Sequence, residues 1–353
     1  MKKIEKSLSI GSCINYSAQI FILLYGMMLL LTSCDAVELP DDNPAVNEMI
    51  QVFINPLEIK EGSSEDLTRA SGMLREPETT LAPLGDGLLL EMTLEPVPAS
   101  PTRATTTLGV GKKFRVIALD SNNKYVSHAD FTAGSGSNTD SAFHLPSGKT
   151  YTFICVSLNS TTALPATANL SAGHTPSFSA AAGTDLLYGS ITRRVDTQND
   201  ATLSFVLSHK FSEITVMADC RYNAWSIQTI QANSIRLGSV YAATMSYDGR
   251  VSVSGNAVTN RYFSWNSSMT AATTQKSLAD VVYTGAANLT LVVSKDAVGK
   301  NQGTFPSSET EVTFTGVTLE QGKRYTLNLK IKTPKFAASN IYWNGQALTF
   351  DEY

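Results

Sequence analysis

The side chain best placed for covalent chemistry is Cys34, the last residue of Leu31-Thr32-Ser33-Cys34. A thiol is nucleophilic as its thiolate, so Cys34 is a candidate for covalent modification. Other reactive groups lack partners. His128, His144, His174 and His209 are scattered, and His209 shares the apolar face of its strand with Phe211. Gly148-Lys149-Thr150 has the ending of a phosphate-binding loop, but Phe143 stands where that loop needs glycine, and a turn leads into a strand. No spacing of Cys, His, Asp or Glu suggests a metal site, and no cofactor motif occurs. Cys155 and Cys220 lie in strand-like runs. They are read either as small buried apolar groups or as a disulfide in an oxidising compartment. Trp225, Trp265 and Trp343 fit strand packing or a sugar platform. Enzymatic function is not expected.

The segment before Cys34 explains why that thiol matters. Lys2, Lys3 and Lys6 precede the apolar run Ile20–Leu31. A membrane span needs about 20 apolar residues, so this shorter run reads as the core of a secretion signal covering 1–33. With Leu31–Cys34 it resembles a bacterial lipobox, which makes Cys34 the expected lipidation site and outer-membrane lipid the expected partner. Asp35, Glu38, Asp41 and Asp42 follow. They resemble a surface-export signal of Bacteroidota lipoproteins, or form a solvated acidic linker.

The remaining chain reads as all-β. Of its 353 residues 42% are hydrophobic and 16% charged, which excludes general disorder. Net charge is −4, and without residues 1–33 it is −6, from 24 basic and 30 acidic side chains. An acidic chain argues against nucleic acid as a partner. Period-two alternation recurs at Leu88, Leu90, Met92 and Leu94, at Phe114, Val116 and Ala118, and at Tyr325, Leu327, Leu329 and Ile331. Short strands between Gly, Asn, Ser and Pro clusters predict sandwiches. The polar stretch Arg193–Ala201 is the expected domain boundary. The expected division is 34–85 as acidic linker and extension, 86–198 as the first sandwich and 199–353 as the second.

The order of segments resembles the fimbrillins of Bacteroidota, lipoprotein precursors of protease-matured pili. The resemblance is carried by Cys34, then Gly87–Leu94 (GLLLEMTL), Thr102–Thr105 (TRAT), Lys113–Leu119 (KFRVIAL) and Leu145–Phe153 (LPSGKTYTF). Asp185–Gly189 (DLLYG), Leu207–Ser212 (LSHKFS) and Gly322–Leu327 (GKRYTL) continue it.

The resemblance implies two transthyretin-like (Greek-key) β-sandwich domains in a fimbrial structural or accessory subunit of the cell surface. It implies a first strand that leaves after proteolysis at an arginine, and a neighbour's C-terminal strand that replaces it. Mapped here, the removable strand is Leu88, Leu90, Met92 and Leu94, and the scissile residue is Arg103, with Arg69 and Arg75 as rivals. Met49–Ile54 (MIQVFI) is a second choice for the first strand. Ile341, Trp343, Leu348 and Phe350 form either a donor segment or a closing hairpin with Asn344-Gly345 as its turn. The chain stops at Tyr353, where larger relatives lead into a further domain, so truncation, an anchor role or an accessory role are all open. Asp140-Ser141-Ala142 matches an O-glycosylation pattern at Ser141 or is a plain Gly/Ser loop. Expected partners are other fimbrial subunits and host or bacterial surface ligands. The competing reading is a surface carbohydrate-binding lipoprotein of a glycan-uptake system.

Overall fold

Residues that alternate apolar and polar with period two favour extended chain, and every regular element among the described residues is a β-strand. The computed structural model describes residues 49–60, 78–85, 88–97, 105–134, 143–197, 199–219, 227–231, 234–258, 261–263, 269–270, 274–276, 280–282, 288–300, 303–315, 319–332, 341–343 and 348–350. Met49–Tyr353 form one compact unit.

The chain opens with β1 (Met49–Gln51), β2 (Phe53–Ile54), β3 (Glu58–Lys60), β4 (Glu78–Gly85), β5 (Leu88–Pro96) and β6 (Thr105–Thr107). It continues with β7 (Lys113–Leu119), β8 (Tyr125–Thr132), β9 (His144–Pro146), β10 (Lys149–Ser157), β11 (Ala166–Ala168), β12 (Ser177–Ala180), β13 (Leu187–Val195), β14 (Thr202–Leu203) and β15 (Val206–His209). Then come β16 (Ser212–Asp219), β17 (Ile227–Ile230), β18 (Ile235–Leu237), β19 (Val240–Ser246), β20 (Val251–Val258), β21 (Arg261–Tyr262), β22 (Met269–Thr270), β23 (Thr274–Lys276) and β24 (Asp280–Val282). The last are β25 (Asn288–Val293), β26 (Val298–Lys300), β27 (Gly303–Phe305), β28 (Thr310–Thr315), β29 (Arg324–Lys332), β30 (Ile341–Trp343) and β31 (Leu348–Phe350).

A seven-stranded sheet runs β6-β3-β15-β13-β10-β7-β8. Its central strands β7 and β10 are covered on both faces. Phe114, Val116, Ala118, Tyr151, Phe153 and Cys155 enter a first core with Ile50, Val52, Leu145 and Leu203. Ile117, Leu119, Ile154 and Val156 enter another core with Phe178, Ala180, Ala243 and Met245, which come from the sheet β11-β12-β19-β20. Two-sided burial explains why β7 and β10 read as nearly continuous apolar runs.

A further core lies between the sheet β23-β16-β29-β5-β4 and the sheet β21-β18-β25-β28. Ile214, Val216, Leu327, Leu329 and Ile331 pack there against Ile235, Leu237, Leu291 and Phe314. This is a β-sandwich in which alternate residues of each strand face inward.

Three placements differ from the reading of the sequence. The hairpin β4–β5 belongs to this last core, because β5 pairs with β29 and its apolar face meets residues of 214–331. The first residues of Arg193–Ala201 complete β13, which pairs with β10 through Val195, and Val195 and Leu203 of β14 share the first core, so no boundary between cores falls there. There Asp200 accepts from Thr197 through both the backbone N–H, at 2.9 Å, and the hydroxyl, at 2.9 Å. Strand β19 starts in the last core with Val240, but from Ala243 onward it pairs with β12, and Ala243 and Met245 enter the core of Phe178 and Ala180. A polar stretch marks solvent, and long-range pairing decides which core the flanking strands join.

Candidate functional site

Residues 49–60 lie as one extended segment in a slot whose two walls come from later parts of the chain. Alternation puts Ile50, Val52 and Ile54 inward; Asn55-Pro56 shifts the phase, and Leu57 and Ile59 then face inward. All five are at most 6% exposed. On one wall β1 pairs antiparallel with β9, and Val52 N–H donates to the Phe143 carbonyl at 2.7 Å. On the other wall β2 runs parallel to β14 and β3 parallel to β15. Phe53, Asn55 and Glu58 N–H groups donate to the carbonyls of Ala201, Leu203 and Phe205 at 3.0, 2.8 and 3.1 Å. Strand β6 closes the remaining edge of β3, and Leu108 N–H donates to Leu57 O at 2.9 Å. The side-chain amide of Asn55 donates to the Ser204 hydroxyl at 2.8 Å.

The segment is thus held by main-chain hydrogen bonds on both edges and by aliphatic burial worth on the order of 10 kcal/mol before ordering costs. Taking it away would expose facing strand edges and an apolar trough. Beside it lies an apolar cavity of about 400 Å³, bordered by Ile54, Pro56 and Leu57 from the segment and by Leu108, Val110 and Phe114 from the body. Val110 on its rim is 82% exposed.

The strand expected to be removable sits elsewhere. Leu90, Met92 and Leu94 are buried in the core they share with β16 and β29, and Leu88 is the first residue of β5. Strand β5 is covered on both edges, by β4 and by β29. It is therefore the inner strand of a hairpin.

Cys34, Arg69, Arg75, Arg103, Ser141, Cys220, Trp225 and Trp265 lie outside the described residues. Ile341 and Trp343 fall on β30, and Leu348 and Phe350 on β31. These two strands form a two-stranded sheet in register Ile341↔Phe350 and Trp343↔Leu348. Cys155 carries a free thiol, fully buried, and burial pushes its pKa up.

Two of the histidines, His209 and His128, sit in local polar networks. His209 Nδ1 is 2.8 Å from Asp185 Oδ1, and the other oxygen of Asp185 accepts from Asn159 at 3.1 Å. His128 Nδ1 is 2.8 Å from the Tyr125 hydroxyl, and burial lowers its pKa. Gly148 has φ of +79° in the turn entering β10, a tight turn that glycine permits without strain. Among the described residues no cluster of three or more His, Cys, Asp or Glu could hold a metal ion.

The alternation of Met49–Ile54 does not end at Ile54. Leu57-Glu58-Ile59-Lys60 repeats the alternation beyond Pro56 and was a usable signal for β3. Asp86-Gly87 between two apolar runs was likewise a hairpin signal for β4 and β5.

No curated protein matches the sequence. Among solved structures, a candidate cell adhesion protein from Bacteroides fragilis is 10% identical, with 87% of this chain and 98% of that chain covered at TM-score 0.41. A candidate polysaccharide-binding protein from Bacteroides thetaiotaomicron is 13% identical, with 70% and 90% covered at TM-score 0.40. The fimbrial anchor protein Mfa2 from Porphyromonas gingivalis is 13% identical, with 69% and 91% covered at TM-score 0.35. The fimbrillin-like family model matches residues 102–345, more than half of the chain, so the protein belongs to the fimbrillin-like family.

Proposed function

We propose that this protein is a fimbrial structural or accessory subunit that reaches the outer membrane as a lipoprotein acylated at Cys34 and joins its neighbours by strand exchange. Family membership ties the chain to fimbriae and to adhesion at the cell surface. The observation that carries the exchange reading is the slot around residues 49–60. A single N-terminal segment supplies Ile50, Val52, Ile54, Leu57 and Ile59 to a core whose other strands come from 105–209. Cutting the chain between β3 and β4, where Arg69 and Arg75 stand in the sequence, separates that segment from the body. A strand from another subunit then takes its main-chain hydrogen bonds and its apolar positions. The cavity beside Ile54 and Leu57 leaves room for bulkier side chains than those it replaces. The donor is the C-terminal segment with Ile341, Trp343, Leu348 and Phe350.

The pairing of β5 favours residues 49–60 over Leu88–Leu94 as the strand that leaves. Withdrawal of 49–60 leaves a two-sided slot for one incoming strand. Withdrawal of β5 requires β4 to move as well, and it opens only one flank of β29.

N-terminal sequencing of surface-extracted polymer tests this. A start at Ala70 or Glu76 is expected for the exchange of 49–60. A start at Ala104 assigns the cut to Arg103, and polymer that retains acylated Cys34 throughout rejects exchange. Ladders of heat-resistant oligomers should disappear when the responsible arginine is replaced.

A further inference from the structure

The hairpin β4–β5 stands in sequence between the two arginine-bearing stretches, after 61–77 and before 98–104. A cut after Arg103 would therefore place it in the detached peptide. Its contacts oppose detachment. Strand β5 pairs antiparallel with β29 without interruption from Leu89↔Lys332 to Pro96↔Tyr325, and Val97 N–H extends the ladder to the Arg324 carbonyl at 2.8 Å. Strand β4 pairs along the other edge of β5, from Glu78↔Leu94 to Gly85↔Leu88. Ala82, Leu84, Leu90, Met92 and Leu94 are all at most 7% exposed, in a core otherwise built from residues 214–331. Glu91 accepts from Lys332 and lies 3.6 Å from the Lys330 ammonium, both on β29.

We infer that this hairpin is a noncovalent clip, which stays in the core it shares with β16 and β29 when the chain is cut on either side of it. It carries its own second strand, so it can leave only as a unit, and leaving would open that core to water. The consequence is positional. A cut after Arg103 alone does not free the body from its N-terminal peptide, whereas a cut between β3 and β4 leaves the hairpin seated and the segment 49–60 separable. This rests on the strand-exchange reading for its biological meaning, but retention of the hairpin can be measured apart from it.

Recognition sites for a sequence-specific protease would replace residues 66–71 and 99–104 of the full chain, singly and together. After the double cut, native size-exclusion chromatography with mass spectrometry should find the hairpin peptide co-eluting one-to-one with the body, and separating only in denaturant. A hairpin peptide that runs free in native buffer overturns the inference. Glu91→Lys places a like charge against Lys330 and Lys332 and should release a labelled hairpin several-fold faster on dilution; an unchanged rate counts against the clip. The same chromatogram reads the peptide carrying Met49–Lys60 separately. If that peptide never leaves or exchanges, the strand-exchange reading fails while the clip stands.

Discussion

Segments 49–60 and 78–96 resemble one another in burial and differ in what surrounds them. Each places five apolar side chains in a core, Ile50, Val52, Ile54, Leu57 and Ile59 in one case and Ala82, Leu84, Leu90, Met92 and Leu94 in the other. The first is a lone strand between walls contributed by β6, β9, β14 and β15. The second is a hairpin that satisfies one edge of β5 with its own β4 and offers the other to β29. Burial alone therefore does not identify an exchangeable strand. A lone strand leaves a slot that another lone strand can refill in register, whereas a hairpin leaves a single open edge.

The largest effect that would break this comparison comes from deletion. Removing 78–96 should abolish cooperative unfolding of the core built from 214–331, read by thermal melting and near-ultraviolet circular dichroism. Removing 49–60 should leave that core folded, and a synthetic peptide of sequence Met49–Lys60 should bind back and restore the melting of the first core. Equal loss from both deletions would erase the distinction.

Single truncations sharpen it. Met92→Ala and Ile54→Ala should each cost about 2–5 kcal/mol, as buried aliphatic truncations do. Ile54→Ala should also speed release of a cut N-terminal peptide, measured by dilution of a labelled sample, whereas Met92→Ala should leave that rate unchanged. Identical release rates would show that the two segments are energetically coupled.

A smaller effect depends on pH. The hydrogen bond from Lys332, with Lys330 nearby, holds the Glu91 carboxyl below its usual range, although burial opposes this. A carboxylate with a depressed folded pKa stabilises fully above its unfolded value near 4.5, and that stabilisation is lost as pH falls through the lower folded value. Glu91→Gln should therefore cost about 0.5–1 kcal/mol at pH 7 and almost nothing at the acid end, as partly exposed ion pairs do. A pH-independent difference in denaturant midpoint would remove electrostatics from the clip. The smallest expected change is Leu81→Lys. Leu81 is 59% exposed on β4, and the substitution should stay within about 0.5 kcal/mol.

Much of the strand content was legible because alternation is local. Leu90-Glu91-Met92-Thr93-Leu94 announces a half-buried strand without any knowledge of its partner. The strand proposed to leave is harder to place for the same reason. Both Met49–Ile54 and Leu88–Leu94 alternate well; Asp86-Gly87 marks a hairpin partner for the second, but nothing local says which core either strand joins. The run Phe114–Leu119 showed a strand but not that sheets cover both its faces.

The sequence by itself determined the β character, the Gly/Asn/Pro punctuation, the lipobox-like run at Cys34 and the order of segments that resembles fimbrillins, since these depend on residue type and near spacing. Only the tertiary structure decided that the chain visits the first core at 49–60, the β16/β29 core at 78–96, and the first core again from Leu108. Strand pairing joins residues far apart in sequence, and its partners are selected by which apolar faces can be buried together.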